Sequence, residues 1–244
     1  MLIAGFPAGP WGTNCYVAAT GVGQECLVID PGKDSIDGID DLLREHRLKP
    51  VAVLLTHGHI DHTWSVVPVC DAHEIPAYIH PSDRGILADP ISGISDQTRQ
   101  AMNAMTGGRL PATEPSDVLD LADGGLISLS GLEILVDHAP GHTRGSVMFR
   151  TPGTGDVEAV CFSGDVLFEG SIGRTDLPGG DHAEMLRSLA LKVLPLSDAT
   201  LVLPGHGGKT TIGRERRTNP FLREVATVSV EGASESTDPT RTGL

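Results

Sequence analysis

The sequence predicts a mixed α and β fold in one domain, with β-sheets covered by helices. Short runs of aliphatic residues alternate with segments of helical periodicity along most of the chain. The 244 residues, 39% hydrophobic and 20% charged, are typical of a globular chain that buries a large core. Strands and helices in this alternating order bury their apolar faces against each other, so we expect sheets with helices outside them.

The first half of the chain begins with three short strands separated by Gly and Pro: Leu2–Phe6, Cys15–Ala19 and Cys26–Ile29. Ser35–His46 follows with apolar residues at helical spacing, which predicts a helix. Val51–Leu55 is a continuous apolar run, typical of a strand buried on both faces. Helix and strand alternate once more up to Ile79.

The second half resumes with four predicted strands: Leu126–Leu129, Leu132–Val136, Ser146–Phe149 and Val157–Phe162. A helix is predicted over His182–Leu194, and Asp181 is its expected N-cap. Thr200–Leu203 is predicted as the last strand. We expect these strands and this helix to form the remaining layers of the same domain.

Two segments depart from this alternation. Residues 83–123 are rich in Gly, Pro, Asp and Ser, which predicts a loop-and-helix excursion that is either a lid or substrate wall or a plain surface insertion. The domain is expected to span residues 1–228. The polar, Ser- and Thr-rich residues 229–244 are predicted to be a disordered tail.

The charge balance and the cysteines narrow the function classes. With 18 Lys and Arg against 32 Asp and Glu, the net charge of −14 disfavours nucleic acid as a partner. No basic segment followed by an apolar stretch opens the chain, so no signal peptide and a cytoplasmic, membrane-free protein are expected. The four cysteines form no C-x-x-C pair, which favours free thiols over a thiolate metal site. The oligomeric state stays open.

The strongest chemical signal is the motif T-H-G-H-I-D-H at residues 56–62, directly after the apolar strand. Side chains two positions apart at a strand exit project to the same side, so His57 and His59 can bind one ion. Asp61 and His62 follow at the next turn and can face a second ion. Imidazole and carboxylate ligands suit zinc, iron or manganese without any thiolate.

Three later segments each offer one more candidate ligand after a predicted strand: P-G-H-T with His142, S-G-D with Asp165 and P-G-H-G with His206. In each, a glycine immediately precedes the ligand and lets the backbone turn close to an ion. Open α/β sheets collect ligands at strand ends, so we expect all four segments to converge.

These motifs, in this order, resemble those of the metallo-β-lactamase superfamily. Further matches to the short bacterial glyoxalase II-like hydrolases (hydroxyacylglutathione hydrolase-like) lie at residues 13–16, 28–32, 170–176, 210–216 and 219–221. The resemblance covers roughly residues 1–226. It implies an α+β fold, an αββα sandwich of two packed mixed β-sheets with helices on the outer faces and a two-metal site at one edge.

The resemblance also assigns the metal ligands. It implies that the first ion is bound by His57, His59 and His142. The second ion would be bound by Asp61, His62 and His206, and Asp165 would bridge the two. Zinc is the expected metal, with iron or manganese as alternatives. Asp61 and Asp165 are the expected catalytic carboxylates.

Two further residues have alternative interpretations. Asp30, which follows a predicted strand, is expected to accept a hydrogen bond from a ligand histidine. The alternative is that Asp30 only forms a turn before Pro31. Arg174 is the candidate contact for a substrate carboxylate, and the alternative is a structural pair with Asp176 or another acid of the same loop.

The function that the resemblance implies is hydrolysis of a small-molecule thioester, from a hydroxyacyl-thiol to a hydroxy acid and a thiol. Two metal ions would lower the pKa of a bridging water from about 15.7 toward neutrality, and the resulting hydroxide would attack the carbonyl. An iron-dependent persulfide dioxygenase of the same superfamily is the alternative. It would use one iron bound by His57, His142 and Asp165, so the motif alone does not separate the two reactions.

Overall fold

The computed structural model describes residues 1–108, 110–153 and 159–235. Within these ranges it contains two mixed β-sheets of six strands each, packed face to face. Helices cover the outer face of each sheet. The α+β sandwich expected from the sequence is therefore confirmed.

The first sheet contains the N-terminal strands in chain order: β1 (Leu2–Ala8), β2 (Thr13–Ala19), β3 (Glu25–Ile29), β4 (Lys49–Leu54), β5 (Ala77–Ile79) and β6 (Val118–Asp120). The first three strands pair antiparallel, and β3 to β6 pair parallel. The parallel part brings the carboxyl ends of β3 and β4 to one edge, where the histidine-rich segment begins.

The second sheet is ordered β12-β11-β10-β9-β8-β7. Its strands are β7 (Leu126–Leu129), β8 (Leu132–His138), β9 (Val147–Thr151), β10 (Val160–Gly164), β11 (Leu201–Pro204) and β12 (Thr210–Thr211). Only β10 and β11 pair parallel, which places the segments after these two strands side by side. Residues 157 and 158 of the predicted fourth strand of this half lie outside the described residues.

Helices lie along and between the strands: α1 (Ile36–His46), α2 (Ile60–Thr63), α3 (Val66–His73), α4 (Arg84–Ala88), α5 (Asp96–Thr106), α6 (His182–Ser188), α7 (Ile212–Thr218) and α8 (Pro220–Glu235). As predicted, Asp181 caps α6 by accepting a hydrogen bond from the Glu184 N–H at 3.1 Å. In the described part of the chain, no helix has the length and apolar composition needed to cross a bilayer.

Three apolar layers hold this arrangement together. The central layer, between the sheets, includes Leu27 and Leu54 from the first sheet and Phe149 and Phe162 from the second. The two outer layers pack α1 and α3 on the first sheet and α6 and α8 on the second. Because strands in both sheets contact a layer on each face, their continuous apolar runs are explained.

The structure corrects the sequence prediction in two places. The 83–123 excursion is not only loop and helix, because residues 118–120 add β6 to the first sheet. Helix α8 continues through Glu235, so residues 229–235 are helical where a disordered tail was predicted. A helix already formed over an apolar segment extends at little cost, which composition alone does not reveal. The rest of the tail, residues 236–244, lies outside the described residues.

Replacing Phe149 by alanine tests the central layer. Phe149 is fully buried between the sheets, so Phe149→Ala should lower the free energy of unfolding by about 3–5 kcal/mol. Leu191→Ala is the control, because Leu191 is 60% exposed and its truncation should change stability by less than about 0.5 kcal/mol. Urea denaturation measures both. Equal stability of the two variants would contradict a core between the sheets.

Candidate metal centre

The segments that carry the candidate ligands meet at one edge of the two sheets. Residues 56–62 follow β4 of the first sheet, whereas His142, Asp165 and His206 follow β8, β10 and β11 of the second. Backbone contacts join the sheets at this edge: the Asn14 N–H donates to the Gly205 carbonyl at 2.7 Å, and Thr13 forms a β-bridge with His206. The convergence expected from the strand ends is what the structure shows.

One group of candidate ligands consists of His57, His59 and His142. All three side chains are buried, and one ring nitrogen of each lies within 4.8 Å of the others. His59 Nδ1 is 2.9 Å from His142 Nε2. These are the three residues that the resemblance assigns to the first metal ion.

The other group consists of Asp61, His62 and His206, whose ligand atoms also lie within 4.8 Å of one another. His206 Nε2 is 3.1 Å from Asp61 Oδ2 and 3.3 Å from His62 Nε2. Asp165 lies between the groups, with one carboxylate oxygen 3.3 Å from His62 Nε2 and the other 3.5 Å from His142 Nε2. All seven predicted ligands are therefore brought together, in the two groups that the sequence predicts.

Glycines next to the ligands permit this close approach. A Cβ on Gly205 would overlap the Asp165 carboxylate and the His62 ring. Gly164 has a φ of +49°, and a Cβ there would overlap the Thr56 side chain. Any other residue type would displace a ligand at Gly205 or the Thr56 side chain at Gly164.

Asp30 holds the start of the histidine-rich segment and fixes the tautomer of one ligand. Its Oδ1 accepts the Thr56 N–H at 2.8 Å, and its Oδ2 accepts the Thr56 hydroxyl at 2.6 Å. The same Oδ2 lies 3.0 Å from His62 Nδ1. A carboxylate only accepts, so Nδ1 carries the hydrogen and His62 Nε2 presents its lone pair to the site. Asp30 thus occupies the position expected of an acceptor for a ligand histidine.

Carbonyl and hydroxyl oxygens orient three more histidines in the same way. His142 Nδ1 donates to the Arg174 carbonyl at 2.7 Å, and His206 Nδ1 donates to the Trp11 carbonyl at 3.2 Å. His57 Nδ1 donates to the Thr56 hydroxyl at 3.1 Å, since that hydroxyl's own hydrogen goes to Asp30. In each histidine the Nε2 lone pair is left for the site.

Asp83 is a functional residue that the sequence analysis missed. Its carboxylate is fully buried and accepts the N–H of Gly58 at 2.9 Å, the N–H of Gly145 at 2.7 Å and the hydroxyl of Thr143 at 2.6 Å. Gly58 lies between His57 and His59, and Thr143 follows His142. Asp83 therefore fixes the backbone of both segments that supply the first group. One feature of the sequence could have indicated it: Asp83 is an acidic residue shortly after the end of β5, which is a strand of the first sheet like β4.

A second buried carboxylate, Glu215, anchors the 170–176 segment. Glu215 accepts the Gly170 N–H at 2.7 Å and the Thr210 hydroxyl at 2.6 Å, and Asn219 donates to the Ser171 carbonyl at 3.0 Å. Further along this segment, the Arg174 carbonyl orients His142. The sequence matches at residues 210–221 are thereby connected to the metal centre, although they touch no ligand directly.

The protonation states of the site residues follow from their burial and from their charged neighbours. Burial, together with the neighbouring His142, lowers the pKa of His59 to about 3, and burial lowers the pKa of His57 well below its usual value. Burial also opposes charge on His62, but Asp165, Asp61 and Asp30 together raise its pKa. The pKa of Asp165 stays low, despite burial, because His62 faces it. His57 and His59 are therefore neutral imidazoles, whereas His62 of the second group faces carboxylates that favour its charged form.

This donor set fits divalent metal ions. Within the described residues, the buried atoms His57 Nε2, His59 Nε2 and Asp165 Oδ1 have no hydrogen-bond partner. His62 Nε2 and His206 Nε2 lie 3.3 Å apart beside the Asp165 and Asp61 carboxylates, an arrangement that favours a cation, either a proton or a metal ion, at this point. Five imidazoles and two carboxylates are ligands that zinc, iron and manganese accept.

The metal centre opens into a cavity of about 430 Å³. Several ligands line this cavity, including His59, Asp61 and His206. Ile94 and Met102 of the 83–123 excursion line it as well. The excursion thus forms a wall of this cavity, while its opening and closing as a lid stays a prediction.

Arg174 lines the same cavity, but its guanidinium is already paired. It donates two hydrogen bonds to the Asp176 carboxylate, at 2.7 and 2.8 Å. The alternative pair considered from the sequence is therefore present in the structure. A contact between Arg174 and a substrate stays a prediction.

Comparison with known proteins agrees with this fold. The family model of the metallo-beta-lactamase superfamily matches residues 8–206, and the chain belongs to this superfamily. Hydroxyacylglutathione hydrolase GloC of Haemophilus influenzae is 33% identical, over 82% of this chain and 88% of GloC.

Two solved structures are similar over most of the chain. The BLEG-1 B3 metallo-beta-lactamase is 42% identical with a TM-score of 0.77, covering 91% of this chain and 99% of that one. TTHA1623, solved in a di-iron-bound form, is 37% identical with a TM-score of 0.73, covering 90% of this chain and 100% of that one. The similar proteins thus include a hydroxyacylglutathione hydrolase, a metallo-beta-lactamase and a protein that binds two irons.

Asp83→Asn should loosen the first group without removing a ligand. Both oxygens of Asp83 accept backbone N–H groups, so an amide NH₂ in either position would face another donor. We expect the metal-free protein to lose about 1–3 kcal/mol of unfolding free energy and metal affinity to fall about tenfold or more. Urea denaturation and competition with a chromophoric chelator measure the two effects. Asp71→Asn, on an exposed aspartate, is the control, and wild-type metal affinity in Asp83→Asn would contradict this role.

Proposed function

We propose that this protein is a metal-dependent thioester hydrolase of the glyoxalase II type, which converts a hydroxyacyl-thiol into a hydroxy acid and a thiol. The observation that carries the proposal is the pair of ligand groups, joined by Asp165, at the floor of a cavity open to a small substrate. The identity with a hydroxyacylglutathione hydrolase over most of both chains supports the choice of substrate class.

The chain's own residues bind the ions and shape the reaction. His57, His59 and His142 would hold one divalent ion, and Asp61, His62 and His206 the other, with Asp165 between them. Ions bound there supply Lewis acidity, which lowers the pKa of a water molecule from about 15.7 toward 7 and stabilises negative charge on a carbonyl oxygen.

Asp61 is the candidate to orient the attacking water. Its side chain is 23% exposed, against 9% for Asp165, so it is the carboxylate more open to the cavity. His206 and Thr13 position it, at 3.1 and 3.3 Å from Oδ2. Attack of water on the thioester carbonyl breaks the C–S bond, and a thiolate leaves readily without a strong general acid. This fits a site whose carboxylates are ionised.

Zinc is the metal that we propose, because the ligands are mainly neutral imidazoles. The same set accommodates iron or manganese, and one similar structure was solved with two irons. Loading the metal-free protein with each ion separately therefore belongs to every activity test.

Removing one ligand of the second group should remove one ion. His206→Ala is expected to lower the metal content from two equivalents to one, because the first group keeps its three histidines. His73→Ala, at the end of α3 and outside the site, is the matched control and should bind two equivalents. Elemental analysis after dialysis measures the content. Two equivalents in His206→Ala would contradict the assignment.

The activity test uses the loss of thioester absorbance. The protein, loaded separately with zinc, manganese and iron, is assayed with S-D-lactoylglutathione and with lactoyl thioesters of other small thiols. We expect turnover with at least one metal and a loss of at least about 100-fold in kcat/KM in His59→Ala, whereas His73→Ala keeps wild-type turnover. His59 lies in the first ligand group, so its loss removes Lewis acidity next to the substrate.

Two results would contradict this proposal. One is a folded, metal-loaded protein that cleaves none of the thioesters. The other is stoichiometric uptake of oxygen by the iron-loaded protein with glutathione persulfide, which would favour the dioxygenase.

A further inference from the structure

The residues that line the cavity are of two chemical kinds. The polar ones are mainly metal ligands. The apolar ones include Trp11, Ile94, Met102, Phe168 and Leu177, from three separate segments of the chain. We call these five side chains the apolar wall.

The apolar wall is packed as part of the fold. Ile94 and Met102 are 7% and 2% exposed and form a cluster with Ile60, against which Trp11 packs. The rings of Trp11 and Trp64 lie 6.0 Å apart, and the Lys33 ammonium covers Trp64 at 5.1 Å from its ring centre. Such packed apolar surface is pre-formed for a ligand.

The wall also contacts a ligand of the metal centre. The space beside Gly93, one residue before Ile94, is filled by His59, since a Cβ on Gly93 would lie 3.0 Å from the His59 ring. A substrate whose carbonyl lies at the metal centre therefore has its adjoining arm next to the wall.

The charges around the cavity disfavour an anionic arm. Among the described residues that line it, Arg174 is the one Lys or Arg, and both described hydrogen bonds of its guanidinium go to Asp176. A carboxylate over the wall would lose hydration and find no unpaired Lys or Arg among these lining residues, and the net charge of −14 adds repulsion. An uncharged hydrocarbon arm has no charge hydration to lose, and its burial against the wall is favourable.

We infer that the preferred substrate is a thioester with an uncharged, apolar arm, either acyl or thiol, that packs on the apolar wall. This inference rests on the proposed thioester hydrolase function. It makes glutathione, whose thioesters carry two carboxylates, a poor thiol carrier for this protein. Each methylene buried on the wall is worth about fourfold in binding.

Binding is tested first, without metal and without turnover. The chain contains two Trp, Trp11 and Trp64, and both belong to the wall or pack against it, so intrinsic fluorescence reports on it directly. The metal-free protein is titrated with S-octyl-N-acetylcysteamine, a stable uncharged thioether, and with S-methylglutathione. We expect the octyl thioether to bind at least tenfold more tightly. Equal or tighter binding of S-methylglutathione overturns the inference, whatever the enzyme hydrolyses.

Turnover then identifies the arm. One series varies the acyl chain, from acetyl to octanoyl, on N-acetylcysteamine; the other varies the alkanethiol of an S-acetyl thioester from ethyl to hexyl. In one of the two series kcat/KM should rise about fourfold for each of the first few methylenes added. The arm that is varied in that series is the one that packs on the wall. A flat profile in both series, with S-D-lactoylglutathione the better substrate, overturns the inference and leaves the thioester hydrolase intact. No cleavage of any thioester overturns both.

Three variants locate the effect on the wall. Met102→Gln keeps the size of the side chain and makes it polar, so it should flatten the chain-length profile. Met102→Leu should keep the profile. Thr98→Lys, which adds a cation beside the cavity, should raise kcat/KM for the glutathione thioester and leave the uncharged series unchanged. Unchanged profiles in Met102→Gln and Thr98→Lys would contradict a role for the wall.

Discussion

The metal centre depends on holding five imidazoles and two carboxylates close together at one edge of the two sheets. The stability of this arrangement is not supplied by the ligands themselves. It comes from buried carboxylates that accept hydrogen bonds behind the ligands. Asp30 holds Thr56 and His62, and Asp83 holds the backbone beside His57, His59 and His142. Glu215 anchors the segment in which the Arg174 carbonyl orients His142. Each of these carboxylates accepts hydrogen bonds from donors that would otherwise be buried without partners. The sandwich is thus a rigid frame for a site that is electrostatically strained without a cation.

The ligands could be predicted from the sequence because their chemistry is local. A histidine-rich motif after an apolar strand, and three glycine-preceded residues after later strands, carry the information within a few positions. The strands were predictable for the same reason, since Val51–Leu55 and its counterparts are continuous apolar runs. Asp83 was not predictable in this way, because its three partners are 25 to 62 positions away along the chain. Its role appears only when β5 is placed beside β4.

The apolar wall was hidden for a similar reason. Residues 83–123 look like a polar insertion, and β6 within them has only three residues, so its pairing with β5 decides its structure. Ile94 and Met102 are isolated apolar residues in the sequence, and Trp11 and Phe168 lie far from them. Folding brings them to the cavity that the ligands also line. The chemistry of the reaction and the choice of substrate are therefore carried by different parts of the chain: strand ends for the metal, the excursion and adjoining loops for the arm.

Anomalous diffraction from crystals of the metal-loaded protein, recorded at the absorption edge of the bound metal, tests the central claim most directly. We predict two peaks in the cavity, one beside His57, His59 and His142 and the other beside Asp61, His62 and His206, with Asp165 in contact with both. A single peak, or a metal ion bound by other residues, would contradict the two-ion centre on which the proposed hydrolysis rests.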